Sequence, residues 1–486
     1  MRILFLFLII IVTPGSYSQV FDMVVAKAGS GAYRTIQSAI GRIPSNRQES
    51  FLVYIKNGIY NEKIELPSDK TFVSLIGESV DGVIITWDDY QGKDGMSGAA
   101  SYTFLAAGND LYMENLTIRN TAGPVGQAVA LRTTGQRQVI KNCRLTGFQD
   151  TYYAHSGRQY NLNCYIEGAT DFIYGDATAV FDTCVIHCVE GGQYITAPAD
   201  TKLISEWPDK SPFYHGLLFT NCLINAAESV PENSYYMGRP WQPNASSVYI
   251  NCSLGNHIKP EGWSAWGETN NHLTGFFAEY RSVDTAGNLK DTTSRVSWSH
   301  QLKEPEVDTY YNLNYFLKKD DIAWDPVPVT VAPEPPPSLS GDRYSVAWSE
   351  VPGVAGYVII RNDSTIGFSE DSSFDDITAD PAVYNNYIVR SVSTGGALSR
   401  PSENYTVEPT GIKQVNPEQP EFELLISNEY IRSEKPVSIK IYSVSGMLVL
   451  SGNNMNYLSL LNLGHGIYVA RIQEKSCKIF TRKITR

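Results

Sequence analysis

One five-residue pattern recurs as ENLTI (114–118), KNCRL (141–145), LNCYI (162–166), DTCVI (182–186), TNCLI (220–224) and INCSL (250–254). Successive copies begin 27, 21, 20, 38 and 30 residues apart. The side chains in each copy alternate as they do in a β-strand, and the offsets suit single coils of a solenoid, with loops in the longer ones. The pattern therefore predicts an all-β chain whose front domain is a parallel β-helix.

Coils stacked in this register bring equivalent residues of neighbouring copies together. The second position predicts an amide ladder that comprises Asn115, Asn142, Asn163, Asn221 and Asn251. The third position predicts an inner apolar file that comprises Cys143, Cys164, Cys184, Cys222 and Cys252. We interpret these cysteines as buried packing groups and not as metal or redox sites, and the pattern leaves a disulfide between neighbouring coils open.

The composition supports a β-rich protein with room for about two to four domains in its 486 residues. Charged residues make up only 19% of the chain, whereas Tyr and Gly number 30 and 38, a balance that favours strands and turns. Asp and Glu number 51 against 39 Lys and Arg, which gives a net charge of -12. This negative charge makes nucleic acid and anionic membranes poor partners.

The first residues have the layout of a secretory signal peptide, which we assign to residues 1–18. The basic residue Arg2 precedes an apolar stretch from Ile3 to Val12, and small residues follow as far as Ser18. This apolar stretch is shorter than the roughly 20 residues that span a bilayer. We therefore expect an exported protein with no transmembrane segment.

The proline-rich residues 326–337 predict an extended linker behind a front domain of residues 19–325. Short alternating runs separated by turns predict two small β-sandwich domains, at 338–408 and 415–486. The first resembles fibronectin type III modules in its W-x-x-V-x-G-x-x-G-Y pattern, which starts at Trp348. The second resembles the C-terminal sorting domain of the type IX secretion system. That resemblance implies the type IX machinery as a partner, and a secreted or cell-surface location in a Gram-negative bacterium.

Two aspartates share one position in the repeat. Asp150 lies seven residues after Cys143, and Asp171 lies seven residues after Cys164. On adjacent coils their backbones would be about 4.8 Å apart, and two carboxylates this close do not both ionise readily in a partly dry cleft. One would keep its proton and the other stay anionic, a division that suits acid/base and nucleophilic catalysis. The alternative that both aspartates cap surface turns remains open at this point.

Glycines and aromatic residues surround both aspartates, in segments 147–153 and 168–175. Such residues build grooves that stack against sugar rings, so Tyr153 and Phe172 are candidates for substrate contact.

Candidate polar groups accompany them. Gln127 and Gln149 are neutral donors that suit a developing oxyanion. Arg239 can hold a carboxylate in bidentate geometry, and Trp241 can offer a ring face.

Seven stretches of the front domain follow one another in a characteristic order. They are GAYRTIQSAI (31–40), YIKNGIYNEKI (54–64), NLTIRNTAGPVGQAVALR (115–132), GFQDTYYAHSGRQY (147–160), CYIEGATDFIYGDA (164–177), MGRPW (237–241) and GWSAW (262–266). In this order they resemble the pectinesterase family, the pectin methylesterases with a right-handed parallel β-helix fold. The chain departs from the family pattern where Arg281 follows Glu279-Tyr280 in place of a Gly-Pro-Gly-Ala phrase.

The resemblance implies hydrolysis of the C6 methyl esters of galacturonate units in pectin, with no metal or organic cofactor. It implies that Asp171 is the nucleophile and Asp150 the general acid/base. Gln127 and Gln149 would form the oxyanion hole, and Arg239 would fix Asp171. The residues implied in substrate binding are Tyr153, Phe172, Trp241 and Trp266.

Two alternatives accompany this interpretation. A pectate lyase or a polygalacturonase-type enzyme is one, since both occur on β-helices and paired carboxylates also serve inverting glycosidases. A non-catalytic pectin-binding protein is the other, and the appended sandwich domain favours it. Methanol release distinguishes the esterase from both alternatives.

Overall fold

The computed structural model describes residues 20–29, 31–201, 204–319, 322–409, 424–443, 448–464, 466–473 and 479–485. The signal peptide assigned to residues 1–18 lies outside these ranges. Contacts group the described residues into a larger unit, which runs up to Thr378 and includes Asn386–Thr406, and a smaller unit, Ala379–Asn385 with residues from Val407 onward. Within the described residues, no helix is long and apolar enough to cross a membrane.

Three parallel sheets form the wall of a right-handed β-helix in the larger unit. Sheet A consists of Met23–Val25, Phe51–Ile55, Val73–Gly77, Tyr112–Glu114, Gln138–Lys141, Arg158–Leu162, Thr178–Asp182, Leu217–Thr220, Ser246–Ile250, Phe276–Tyr280 and His300–Gln301. Sheet B consists of Gly58–Asn61, Val83–Trp87, Thr117–Asn120, Arg144–Thr146, Tyr165–Gly168, Val185–Cys188, Leu223–Ala226 and Ser253–Leu254. Sheet C consists of Ile64–Leu66, Phe104–Ala106, Leu131–Thr133, Tyr152–Ala154, Thr170–Gly175, Tyr194–Pro198 and Tyr236–Gly238. The parallel β-helix predicted from the repeat is confirmed.

The repeated pattern marks the corner between sheets A and B. Its second residue takes a left-handed backbone conformation, with φ of 58° at Asn115, 51° at Asn142 and 53° at Asn163. Asparagine enters this region more readily than most residues because its short polar side chain can bond locally. The pattern is therefore a bend that leads into a strand, and not the single strand that the alternation predicts.

The amide ladder predicted along these corners is incomplete. Asn163 Nδ2 donates to Asn142 Oδ1 at 2.7 Å, but Asn142 Nδ2 donates to Glu114 Oε1 at 3.1 Å. Asn221 Nδ2 donates instead to Asp182 Oδ1, at 3.5 Å. The shared requirement at this position is the backbone conformation, and the side-chain partners vary with the neighbouring coil.

The third and fifth residues of the pattern fill the interior. The fifth residues pair from coil to coil and have no exposed surface: Ile118, Leu145, Ile166, Ile186, Ile224 and Leu254. The third-position cysteines are buried and free, so the inner file is confirmed and no disulfide joins these coils. Burial of each aliphatic side chain contributes roughly 1.5–3 kcal/mol to the free energy of unfolding. The fifth-position residues repeat this contribution from coil to coil along the axis of the solenoid.

Shorter elements complete the larger unit. The helices are Ile36–Ile40, Glu304–Tyr310, Leu313–Phe316 and Val327–Thr330, the 3-10 turns are Lys93–Gly95, Gly98–Ala100 and Asn271–Leu273, and Ile204–Glu206 pairs antiparallel with Pro212–Tyr214. The linker predicted to be extended over 326–337 thus contains a helix, because proline suits the first turn of a helix, where its missing N–H costs nothing.

Residues 338–408, termed the module below, contain two antiparallel sheets. One consists of Ser340–Gly341, Ser345–Ala347 and Ser373–Asp375, and the other of Val354–Arg361, Ser364–Ser369, Asn385–Ser393 and Tyr405–Val407. The likeness of the module to fibronectin type III domains stays a prediction.

The module packs directly on the outer face of sheet A. Val358 and Val392 of the module share a buried apolar cluster with Leu52 and Ile76 of sheet A. Polar contacts surround this cluster: Lys56 Nζ donates to the carbonyl oxygen of Thr365 at 2.9 Å.

The smaller unit is antiparallel throughout its described strands. These strands are Leu424–Ile426, Tyr430–Ser443, Leu448–Ser459, Ile467–Gln473 and Ile479–Thr485. Ile439, Ile441, Ala470 and Ile472 are fully buried in its core.

Candidate active site

Asp150 and Asp171 occupy equivalent positions on neighbouring coils, as their spacing predicts. Gln149 pairs with Thr170 just before them, and Tyr152 pairs with Ile173 just after them. Both aspartates have left-handed backbones, with φ of 65° at Asp150 and 49° at Asp171. Aspartate enters this region more readily than most residues, and backbone of this kind outside glycine often occurs at functional sites.

A β-bulge re-aims the chain at Asp171. Between the pairs Thr170 with Tyr194 and Ile173 with Thr196, two residues on the first strand oppose one on the second. Bulges of this type bend a strand and redirect its side chains. Phe172 and Ile173 consequently both point into the interior, and neither has any exposed surface. The prediction that Phe172 contacts substrate is therefore wrong, because its ring belongs to the core of the solenoid.

The two carboxyl groups open into a cleft of about 250 Å³ on the outer face of sheet C. Its lining residues are Gly98, Ala99, Gln127, Asp150, Tyr153, Asp171, Tyr174, Ala197, Trp241 and Trp266. Six of the nine sequence-predicted site residues thus meet in one cavity. Of the other three, Gln149 and Arg239 flank it through contacts with the aspartates, and Phe172 lies inside the solenoid.

Asp150 is the carboxyl group that holds its proton more tightly. Burial first, and then the negative charge of Asp171, raise the pKa of Asp150 to about 8. The hydroxyl of Tyr174, the amide of Gln149 and the charge of Arg239 act in the opposite direction but do not cancel this rise in pKa. Asp150 is therefore protonated near neutral pH, the state that a general acid needs.

Asp171 is the carboxylate with a fixed counter-ion. Arg239 Nε donates to Asp171 Oδ1 at 2.9 Å, and Arg239 Nη2 donates to Asp171 Oδ2 at 2.6 Å. Burial raises the pKa of Asp171, and the hydrogen bonds and charge of Arg239 oppose that rise. A bidentate pair of this type orients both carboxylate oxygens and favours the ionised form.

Gly238 lets the residue after it, Arg239, lie close to the neighbouring coil, which carries Thr196. A Cβ atom on Gly238 would lie 2.0 Å from Thr196 Oγ1, a clash that no side chain could avoid. The Arg239 amide then donates to the Thr196 carbonyl oxygen at 2.9 Å. This close contact between coils places the guanidinium over the strand that carries Asp171.

The two glutamines lie side by side on adjacent coils, because Gln127 and Gln149 form a parallel bridge. Gln127 lines the cleft, and its Oε1 lies 2.6 Å from where a Cβ atom on Gly98 would be. Gly98 therefore makes room for the Gln127 amide. Sequence reasoning missed Gly98, since it lies in an insertion that carries no part of the repeat.

Aromatic rings form the rest of the cleft. Tyr153 and Tyr174 pair across neighbouring strands, and their rings stack with centroids 4.3 Å apart and planes 7° apart. The ring of Trp241 meets Tyr174 edge to face at 5.9 Å. Tyr174 stands within a motif that the sequence analysis quoted, but it was not predicted as a site residue. The repeat register pairs it with Tyr153, a signal that could have found it.

These features define a parallel β-helix protein with paired aspartates in an open cleft on one sheet. The chain belongs to the pectinesterase family, whose model matches residues 22–320. A second match, to the secretion system C-terminal sorting domain, covers residues 416–485 and confirms the sorting domain predicted there.

Known proteins with similar sequences and structures agree with this assignment. The chain is 35% identical over 314 residues to a probable pectinesterase/pectinesterase inhibitor of Arabidopsis thaliana, across 63% of this chain and 50% of that protein. The chain thus spans about half the length of that relative. Pectin methylesterase from carrot matches with a TM-score of 0.56 and 28% identity, over 61% of this chain and 93% of that one. A pectin methylesterase in complex with a hexasaccharide matches with a TM-score of 0.51 and 28% identity, over 63% and 98% of the two chains.

Proposed function

We propose that this protein hydrolyses the C6 methyl esters of galacturonate units in pectin and releases methanol. The observation that supports this proposal best is the contrast between the two aspartates. Asp171 is paired with Arg239 at 2.6–2.9 Å, whereas burial and the charge of Asp171 raise the pKa of Asp150 to about 8. Two carboxyl groups whose surroundings differ in this way, side by side in one cleft, suit a nucleophile and a general acid.

In the first step, a carboxylate oxygen of Asp171 attacks the carbonyl carbon of the methyl ester. The side-chain amides of Gln127 and Gln149 donate hydrogen bonds to the oxyanion that forms. The bond from carbon to the methoxy oxygen then breaks, and the leaving methoxide takes the proton of Asp150. Methanol departs, and the galacturonate acyl group stays on Asp171 as an anhydride.

In the second step, Asp150 is a carboxylate and accepts a proton from water. The resulting hydroxide attacks the acyl carbon, and the bond between that carbon and the Asp171 oxygen breaks. Asp171 returns to its ionised form beside Arg239, and Asp150 regains its proton. The polymer is left with a carboxylic acid, which loses its proton to solvent and becomes a free carboxylate. The stacked rings of Tyr153 and Tyr174, with Trp241 at 5.9 Å from Tyr174, offer surfaces against which sugar rings can pack.

Methanol release from esterified pectin, measured with and without a chelator, tests this proposal. We expect methanol in both conditions, with no unsaturated ends and no new reducing ends. Asp171→Asn should abolish release while circular dichroism shows an intact fold, because the amide keeps the shape but is not a nucleophile. Unsaturated or reducing ends without methanol would contradict the esterase mechanism, and substantial activity of the Asn variant would contradict the role of Asp171.

We also propose that the type IX secretion machinery exports the protein to the surface or surroundings of a Gram-negative cell. The sorting-domain match over 416–485 supports this. Deletion of this segment should retain the protein inside the cell envelope, as fractionation of the producing bacterium would reveal.

A further inference from the structure

The guanidinium of Arg239 lies between two aromatic rings. Its central carbon is 3.8 Å from the ring centroid of Tyr194 and 4.1 Å from that of Trp266. At the same time its edge makes the two hydrogen bonds to Asp171, at 2.9 and 2.6 Å. The planar cation thus has both its faces and its edge occupied by protein groups, an arrangement that only arginine can fill.

Tyr194 contacts the cation without forming part of the cleft. The residues that line the cleft include Trp266 but not Tyr194. Tyr194 begins the sheet C strand Tyr194–Pro198 and pairs with Thr170, the residue before Asp171. The same strand therefore carries the ring that supports Arg239 and lies beside the strand that carries Asp171.

We propose that Tyr194 and Trp266 are positioning residues that hold Arg239 in the plane required to orient the Asp171 carboxylate for attack. This inference rests on the function proposed above. An arginine held only by its edge could rotate about that edge, and the carboxylate would rotate with it. Rings on both faces remove this freedom and shield those faces of the cation from water, which strengthens its interaction with Asp171.

The test uses the full chain with changes at Tyr194, because Trp266 also lines the cleft. Tyr194→Leu removes the ring, and we expect kcat to fall about tenfold with KM within about twofold, since misoriented attack affects the chemical step. Tyr194→Phe keeps the ring face and should retain wild-type kcat. Comparison of the two variants distinguishes the effect of the hydroxyl group on kcat from the effect of the ring.

Tyr236 offers a matched control. Its ring stacks on Tyr194 with centroids 5.5 Å apart and planes 10° apart, and Lys259 lies over it at 4.4 Å. Tyr236→Leu removes a ring from the same stack, one layer further from Arg239. Its kcat should stay within about twofold of wild type.

A double-mutant cycle in urea unfolding, with Tyr194→Leu and Arg239→Lys, tests the ring contact without reference to activity. We expect the effects of the two changes on the free energy of unfolding to be non-additive. Wild-type kcat in Tyr194→Leu, an equal loss in Tyr194→Phe, or a change in KM alone would each overturn the positioning role. If the wild-type protein releases no methanol while the cycle still shows coupling, the proposed function fails and the contact stands.

Discussion

The outer faces of sheets A and C are built on the same coils but are used in opposite ways. On sheet A, the module covers Leu52 and Ile76 at one end, and the helix Leu313–Phe316 covers Val180 and Leu218 further along. On sheet C, the corresponding surface stays open as the cleft and carries the aspartates.

This difference shows how a solenoid separates stability from chemistry. Both sheets pack their inner faces against the same apolar core inside the solenoid. Neither outer face is therefore needed to form that core. Sheet A buries apolar groups on its outer surface and gains stability, whereas sheet C holds two carboxyl groups, Asp150 and Asp171, that are almost fully buried beside the cleft, which costs stability. Substitutions on the two faces should therefore affect different measurements.

The largest effect is expected on the open face, at Asp150. Asp150→Asn keeps the shape but cannot transfer the proton, so kcat for methanol release should fall by a factor of at least about 10² to 10⁴. Retention of wild-type kcat would remove Asp150 from the mechanism.

The same variant should be more stable than the wild type at neutral pH. The pKa of Asp150 is raised from 3.8 to about 8 in the folded protein, which therefore binds this proton more tightly than the unfolded chain does. The wild type loses stability as the pH rises from about 4 towards 8, and the variant lacks that loss. Urea unfolding at pH 5 and pH 8 checks this sign: the advantage of the variant should be larger at pH 8.

A medium effect is expected on the covered face, at Gly396 of the module. A Cβ atom there would lie 2.8 Å from Ile76 Cδ1 and 3.3 Å from Leu52 Cδ2. Gly396→Val should separate the module from sheet A and cost about 1–3 kcal/mol of unfolding free energy beyond the backbone cost, with kcat unchanged.

Gly353 is the matched control, since its φ of 74° is also positive, as at Gly396 with 97°, and a Cβ atom there meets nothing within 4 Å. Gly353→Val carries the backbone cost without the steric contact. Equal destabilisation of the two variants would mean that the close approach of Gly396 to Ile76 and Leu52 adds no steric cost.

The smallest effect is expected at a corner that belongs to neither face. Thr183 takes the place of asparagine in the fourth copy of the pattern and has a φ of 52°, which is unfavourable for a β-branched residue. Thr183→Asn should raise the unfolding free energy by about 0.5–1 kcal/mol, as measured by chemical denaturation, and leave kcat unchanged. A loss of stability would show that the hydrogen bond from Thr183 Oγ1 to the Asp182 carbonyl oxygen, at 2.7 Å, outweighs the strain.

The repeat offsets were sufficient to predict the solenoid and the pairing of Asp150 with Asp171, because a parallel register depends only on residue counts. They did not predict the corner at Asn142, since alternation cannot distinguish a bend from a strand. They also misplaced Phe172, because a bulge of one residue reverses which side chains point inward. Tyr194 escaped notice because its partner, Arg239, lies far along the sequence and on another coil.

The buried cysteines of the inner file can be used to follow local unfolding of the solenoid. Cys143, Cys164, Cys184, Cys222 and Cys252 lie on successive turns of the pattern and are all buried and unpaired. A thiol reagent can label each one only when its own turn opens. Mass spectrometry of partly labelled protein would therefore reveal at which end the solenoid begins to fray, without any engineered probe.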